Sequence, residues 1–214
     1  MNIYFVKTLL YTGIFSLLIP LIPGIKYFSR LDRQMRLLVF LMMVVGITEA
    51  STFYLSEILG RGYHWVHHIY FPIEYTIFAL IFSKWIKKYL YSKLTLYSIP
   101  IIVIFAAFNS LFLQSINQLN SYAITLGLIC YTVITLFVLY QIMTEDLGRI
   151  LKNNKFWVST GLLIFSAGDL AYFAFYPLVN EHYLIAIWAI HAIFNIIVHI
   201  FYAIGIICQG RKWD

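Results

Sequence analysis

Seven apolar runs of about 20 residues, each long enough to cross the hydrocarbon core of a bilayer as a helix, dominate this chain. They cover approximately residues 4–24, 36–58, 66–85, 94–113, 120–143, 156–177 and 183–208. The connections between them are short, so consecutive helices are expected to be antiparallel neighbours. The expected fold is therefore all-α: a polytopic membrane protein with residues 1–214 in a single bundle of seven transmembrane helices. Composition agrees. Of the 214 residues, 62% are hydrophobic and only 11% charged, too few charges to cover a soluble domain of this length. The opening stretch "MNIYFVKTLL" lacks a basic leader and a small-residue cleavage site, so it reads as the first helix rather than a signal peptide. The five prolines are expected near helix ends. No internal repeat supports a transporter built from two matching halves.

Lysine and arginine orient the bundle. Lys26, Arg30, Arg33 and Arg36 fall in the first connection, Lys84, Lys87, Lys88 and Lys93 in the third, and Arg149, Lys152 and Lys155 in the fifth. Arg211 and Lys212 follow the last run. The even connections carry only Arg61. The basic end is expected to be cytoplasmic, with the N-terminus outside and the C-terminus inside. This distribution explains the net charge of +6 without nucleic acid. The expected partner is the lipid bilayer, whose anionic headgroups the basic loops can meet. Small size and short loops suggest a bacterial inner membrane. Cys130 and Cys208 both sit in apolar runs and read as neither a disulfide nor a zinc pair.

Ionisable groups at membrane depth are costly unless paired or hydrated, and they usually face the bundle interior. Glu49, Glu74, Asp169 and His191 come from four different runs, and each lies about 12 Å below the outer boundary at 1.5 Å per residue. Polar stripes support the same grouping. Glu49, Thr52 and Ser56 share a face of the second run; His67, Tyr70 and Glu74 share one in the third. Ser166, Asp169, Tyr172 and Tyr176 share one in the sixth. In the seventh, "HAIFNIIVHIFY", His191, Asn195, His199 and Tyr202 recur at spacings of four, four and three, which makes one line down a helix. His68 points away from Glu74, which favours His67. The expectation is an outward-facing polar cavity between the second, third, sixth and seventh helices, rimmed by Glu57, His64, His67, Glu181 and His182, with Asn195 and His199 extending it inward.

Three chemistries suit such a cluster: a divalent metal on Glu49, Glu74, Asp169 and His191, a proton relay or buried ion pair, and a polar ligand between aromatic walls. A bland reading stands beside them, in which His191, Asn195 and His199 only hydrogen-bond helices together. Retinal as a Schiff base is excluded, because no lysine lies between Lys155 and Lys212. The general shape resembles that of seven-helix membrane hydrolases such as the alkaline ceramidases and the adiponectin receptor family, whose last helix offers zinc an H-x-x-x-H pair. Here Asn195 stands four residues after His191, and His199, eight residues on, lies about 12 Å away along the axis. The chain departs from that pattern at its most specific motif. The leading functional reading is a binding protein, receptor-like or transport-like, holding a small ligand, proton or ion. The alternatives are a metal-dependent intramembrane hydrolase acting on lipid, and a structural membrane subunit. A signalling role would require a membrane or cytoplasmic protein partner, with the basic loops as contacts.

Overall fold

Proline and cap chemistry decide where the helices start and bend. The computed structural model describes the backbone of residues 3–145, 147–175 and 181–211, with side chains for 8–145, 150–170, 172–174 and 188–211. Among the described residues the chain is helical throughout and has no strand. The helices are α1 (Ile3–Phe15), α2 (Leu18–Lys26), α3 (Arg33–Phe53), α4 (His64–Trp85), α5 (Tyr89–Phe108), α6 (Ser121–Glu145), α7 (Asn154–Phe175) and α8 (Glu181–Gly210). Six stretches are long and apolar enough to cross a membrane: Thr8–Lys26, Arg33–Ile58, Tyr89–Leu113, Ser121–Glu145, Asn154–Ala174 and Trp188–Gly210. The protein is a multi-pass helical bundle of the integral-membrane kind.

The exception is α4. Its 22 residues suffice for a crossing, but three histidines and Glu74 dilute its apolar character. Burial compensates: eleven of its residues are buried, whereas only 17% of the apolar window of α5 is. Polar residues are tolerated where protein, not lipid, surrounds them.

The first run is two helices rather than one. Pro20 lacks an N–H and its ring clashes with the carbonyl four residues back, that of Ser16. The Ser16 carbonyl instead accepts from the Ile19 N–H at 2.9 Å, and Leu17 N bonds Ile14 O at 3.2 Å. Pro72 and Pro100 correct the expectation in the opposite sense, because each lies inside its helix. Helix α5 begins at Tyr89, earlier than the apolar run, which leaves Pro100 in its middle. Asp32 caps α3 by accepting from Met35 N at 2.8 Å. Both α3 and α5 end in a wider π turn, at Tyr54–Ile58 and Asn109–Leu113. Gly60, at φ 58°, then reverses the chain in the left-handed region that favours glycine.

Helix α8 packs against α7, α1 and α2, α7 also packs on α6, and α4 lies against α3, α5 and α6. Where these meet, Tyr131 stacks on Tyr75 with centroids 5.3 Å apart, and Phe78 meets Tyr131 at 5.3 Å and Tyr202 at 6.2 Å. Tyr202 is thus a core residue, 3% exposed. At Gly161 a Cβ would come within 2.6 Å of Phe201 Cβ, so α7 and α8 approach as only small residues permit.

The odd-numbered connections gather at one end with the last turn of α8. There Lys87 pairs with Glu145, and Gln209 donates to Asp32 at 2.6 Å. The Arg211 side chain, with the charges of Lys26 and Arg30 nearby, holds the Tyr27 phenol below the ordinary range.

Candidate functional site

A cavity of about 330 Å³ opens in the described part of the bundle. It lies between α1, α3 with its π turn, the start of α4, and α8. Glu57 and Tyr63 stand toward the less basic end; Leu17 and His199 lie deepest. Trp188 and His199 both line it, eleven residues apart on α8, so the cavity runs about 16 Å along the helix.

Of the residues singled out from sequence, Glu49, His67, His191, Asn195 and His199 line this cavity. Asp169 does not. It is 0% exposed and stands behind His191, with Oδ2 2.6 Å from His191 Nδ1. Glu74 is not among the lining residues either. Of the four groups, Asp169 and His191 meet directly, and Glu49 shares the cavity wall with His191. His68 turns away toward Ser110 Oγ (2.6 Å) and the Gln118 carbonyl (2.9 Å). Asn195 and His199 are on the cavity face of α8, and Tyr202, next in that line, leaves it for the core. The side chains of Glu181, His182 and Tyr176 lie outside the described residues.

The cavity walls differ from the expected set. The first span, not among the four helices expected to bound the cavity, forms one wall, and α7 contributes from behind through Asp169. The break that Pro20 imposes is part of this. It leaves Ser16 buried with its hydroxyl 2.6 Å from Gly13 O and 2.7 Å from His199 Nδ1. A hydroxyl has one hydrogen and a carbonyl only accepts. Ser16 therefore donates to Gly13, and His199 Nδ1–H donates to Ser16.

The same accounting fixes His191. An ionised Asp169 accepts only, so Nδ1 carries the hydrogen. On the other side Asn195 Nδ2 lies 2.8 Å from Nε2 and 3.2 Å from the His191 carbonyl. An amide NH₂ donates only, so Nε2 is the acceptor. This is the neutral ring. Taking a proton at Nε2 requires Asn195 to present its carbonyl oxygen instead. Phe165, Tyr172, Phe173 and Trp188 surround the imidazole, their centroids 5.7–5.9 Å from it. Sequence reasoning allowed for aromatic walls around a ligand but did not gather these four rings around His191. The signal was there: Trp188 precedes His191 by three residues, on one helix face, and Tyr172 follows Asp169 by three.

Among the described residues, no three His, Cys, Asp or Glu side chains are placed to hold a metal ion. At His191 the reason is visible, because both ring nitrogens are already engaged. No protein-family model matches the chain, and no curated protein or solved structure is significantly similar to it.

Proposed function

We propose that this protein is a seven-helix membrane binding protein, receptor-like or transport-like, that holds a small ligand together with an exchangeable proton in the cavity between α1, α3, α4 and α8. In this reading α4 is a seventh crossing, sheltered by its neighbours. The basic end faces the cytoplasm, following the lysine and arginine bias, and the cavity opens to the other side. The observation that carries the proposal is the cavity of about 330 Å³ whose lining includes Glu49, His67, His191, Asn195 and His199. Small-molecule sites are typically concave and mainly apolar, with a few convergent polar groups, and start at about 300 Å³. The Asp169–His191 pair supplies a base whose Nε2 faces the cavity and whose orientation is held from behind.

A second reading has support of its own. Asp169 is fully enclosed, and its bond to His191 fastens α7 to α8, as polar side chains often do between membrane helices. Access separates the two. Thr52 lines the cavity. A Thr52→Cys variant, with Cys130 and Cys208 replaced by alanine, is treated in sealed membranes with an impermeant maleimide from each face in turn. Labelling from the face opposite the basic loops supports a ligand cavity open to that side. Labelling from neither face, or only from the basic face, overturns it.

A further inference from the structure

The lining of the cavity has a charge and a surface character that restrict its occupant. Among the described residues, Glu49 and Glu57 are the acids of the wall, and no lysine or arginine lines it. In the sequence, thirteen of the fifteen basic residues fall in the odd-numbered connections or after the last run, leaving Lys7 and Arg61. His67, His191 and His199 also line the wall, and the partners at both ring nitrogens of His191 place that ring in its neutral form. Asp169 adds a further carboxylate one residue behind. Glu49, only partly open to water, favours a counter-charge, and the described side chains of the wall supply no permanent one.

The remaining lining indicates which cation fits. Tyr11, Phe53, Tyr63 and Trp188 present aromatic rings to the cavity, and Leu10, Ile14 and Val45 add aliphatic surface. A bare metal ion is poorly served, because the described residues offer no converging set of three donors. An alkylammonium needs no such set. One carboxylate balances its charge, ring faces attract it within about 6 Å, and aliphatic walls suit its carbon groups.

We propose that the ligand of this cavity is a small organic ammonium ion, seated between Glu49 and the aromatic wall formed by Tyr11, Phe53 and Trp188. This rests on the cavity reading above and names its ligand class. Protons compete with the ligand for the same carboxylate, so occupancy and protonation of Glu49 exclude one another. His67 of α4, His191 and His199 of α8, Glu57 of the π turn and the phenols Tyr11 and Tyr63 all line that space with it.

The test uses the full chain purified in detergent and follows thermal unfolding with increasing choline or ethanolammonium. Each is compared with the uncharged alcohol in which carbon replaces nitrogen. A ligand that binds only the folded state raises the midpoint with concentration. The expected result is stabilisation by at least one ammonium ion and none by its isostere. Glu49→Gln should raise the concentration needed for half the shift at least tenfold. Ser56→Lys, which places an ammonium group inside the wall, should do the same if Glu49→Gln fails to fold. Equal stabilisation by the alcohols would overturn the cationic assignment while leaving the cavity reading intact. No response to any of the four, with Thr52→Cys still labelled, would also overturn the assignment. No response together with unlabelled Thr52→Cys would overturn both.

Discussion

Substituting Gly161 by alanine tests how closely α7 and α8 must approach to assemble the site. The added Cβ would lie 2.6 Å from Phe201 Cβ, whereas carbon atoms settle at about 3.5–4.0 Å. Phe201 Cβ is one bond from the backbone and cannot swing aside, so the helices must part by about 1 Å. Overpacking of this kind costs about 1–3 kcal/mol, against which alanine returns up to about 1 kcal/mol of helix propensity. The expected net loss is about 1–2 kcal/mol. At this chain length that corresponds to a midpoint lower by about 2–8 °C. Gly168→Ala is the internal control. Its Cβ would come even closer to a neighbour, 2.3 Å from Phe194 Cζ, but that atom is the tip of a ring that can rotate, with an off-rotamer cost of about 0.5–1.5 kcal/mol. Gly168→Ala should therefore unfold near the wild-type midpoint in a detergent melt. If Gly161→Ala melts with the wild type, or Gly168→Ala is the more damaging of the two, the close-approach argument fails.

Ser16→Ala leaves the buried Nδ1 of His199 without its acceptor and should destabilise by about 1–3 kcal/mol, read in the same melt. Asp169→Asn keeps a hydrogen-bond acceptor for His191 but removes its charge. A loss of about 0.6–1.7 kcal/mol, the range for hydrogen bonds between membrane helices, is expected, and a larger one would mark the pair as a main fastening of α7 to α8. A fluorescent protein fused after Asp214 should mature and glow in cells, and alkaline phosphatase at the same place should be inactive. The reverse pattern would invert the proposed orientation.

The fold was largely legible because the strongest signal, apolar length, survives every detail of packing. Each of the seven runs is mainly helical over its described residues, and Asp169 and His191, matched in depth, meet directly. What the sequence hid was direction. Depth along a helix says how far a residue lies from the surface, not which neighbour it meets, and Glu74 and Asp169 accordingly sit at the right level without reaching the cavity. The first span was left out of the expected site because it carries no acid or histidine. Its place in the site comes from Pro20, which acts on the Ser16 carbonyl four residues earlier, a backbone effect with no hydropathy signature. The ring collar around His191 was hidden by abundance. With 19% aromatic residues in the chain, four more rings in α7 and α8 do not stand out until the helices are side by side.

The polarity of α4 has a consequence for how the protein is made. A segment carrying Glu74 and three histidines is a poor candidate to enter the bilayer on its own, since ionisable side chains weigh heavily against insertion. Its shelter in the finished bundle comes from α3, synthesised before it, and from α5 and α6, synthesised after it. If α4 is the seventh crossing proposed above, either it waits beside the translocation machinery until later segments emerge, or it enters as a hairpin with the strongly apolar α5. Changes in α5 that touch no part of the cavity can then still abolish the site, by stranding α4 on the wrong side of the membrane before the protein has finished folding.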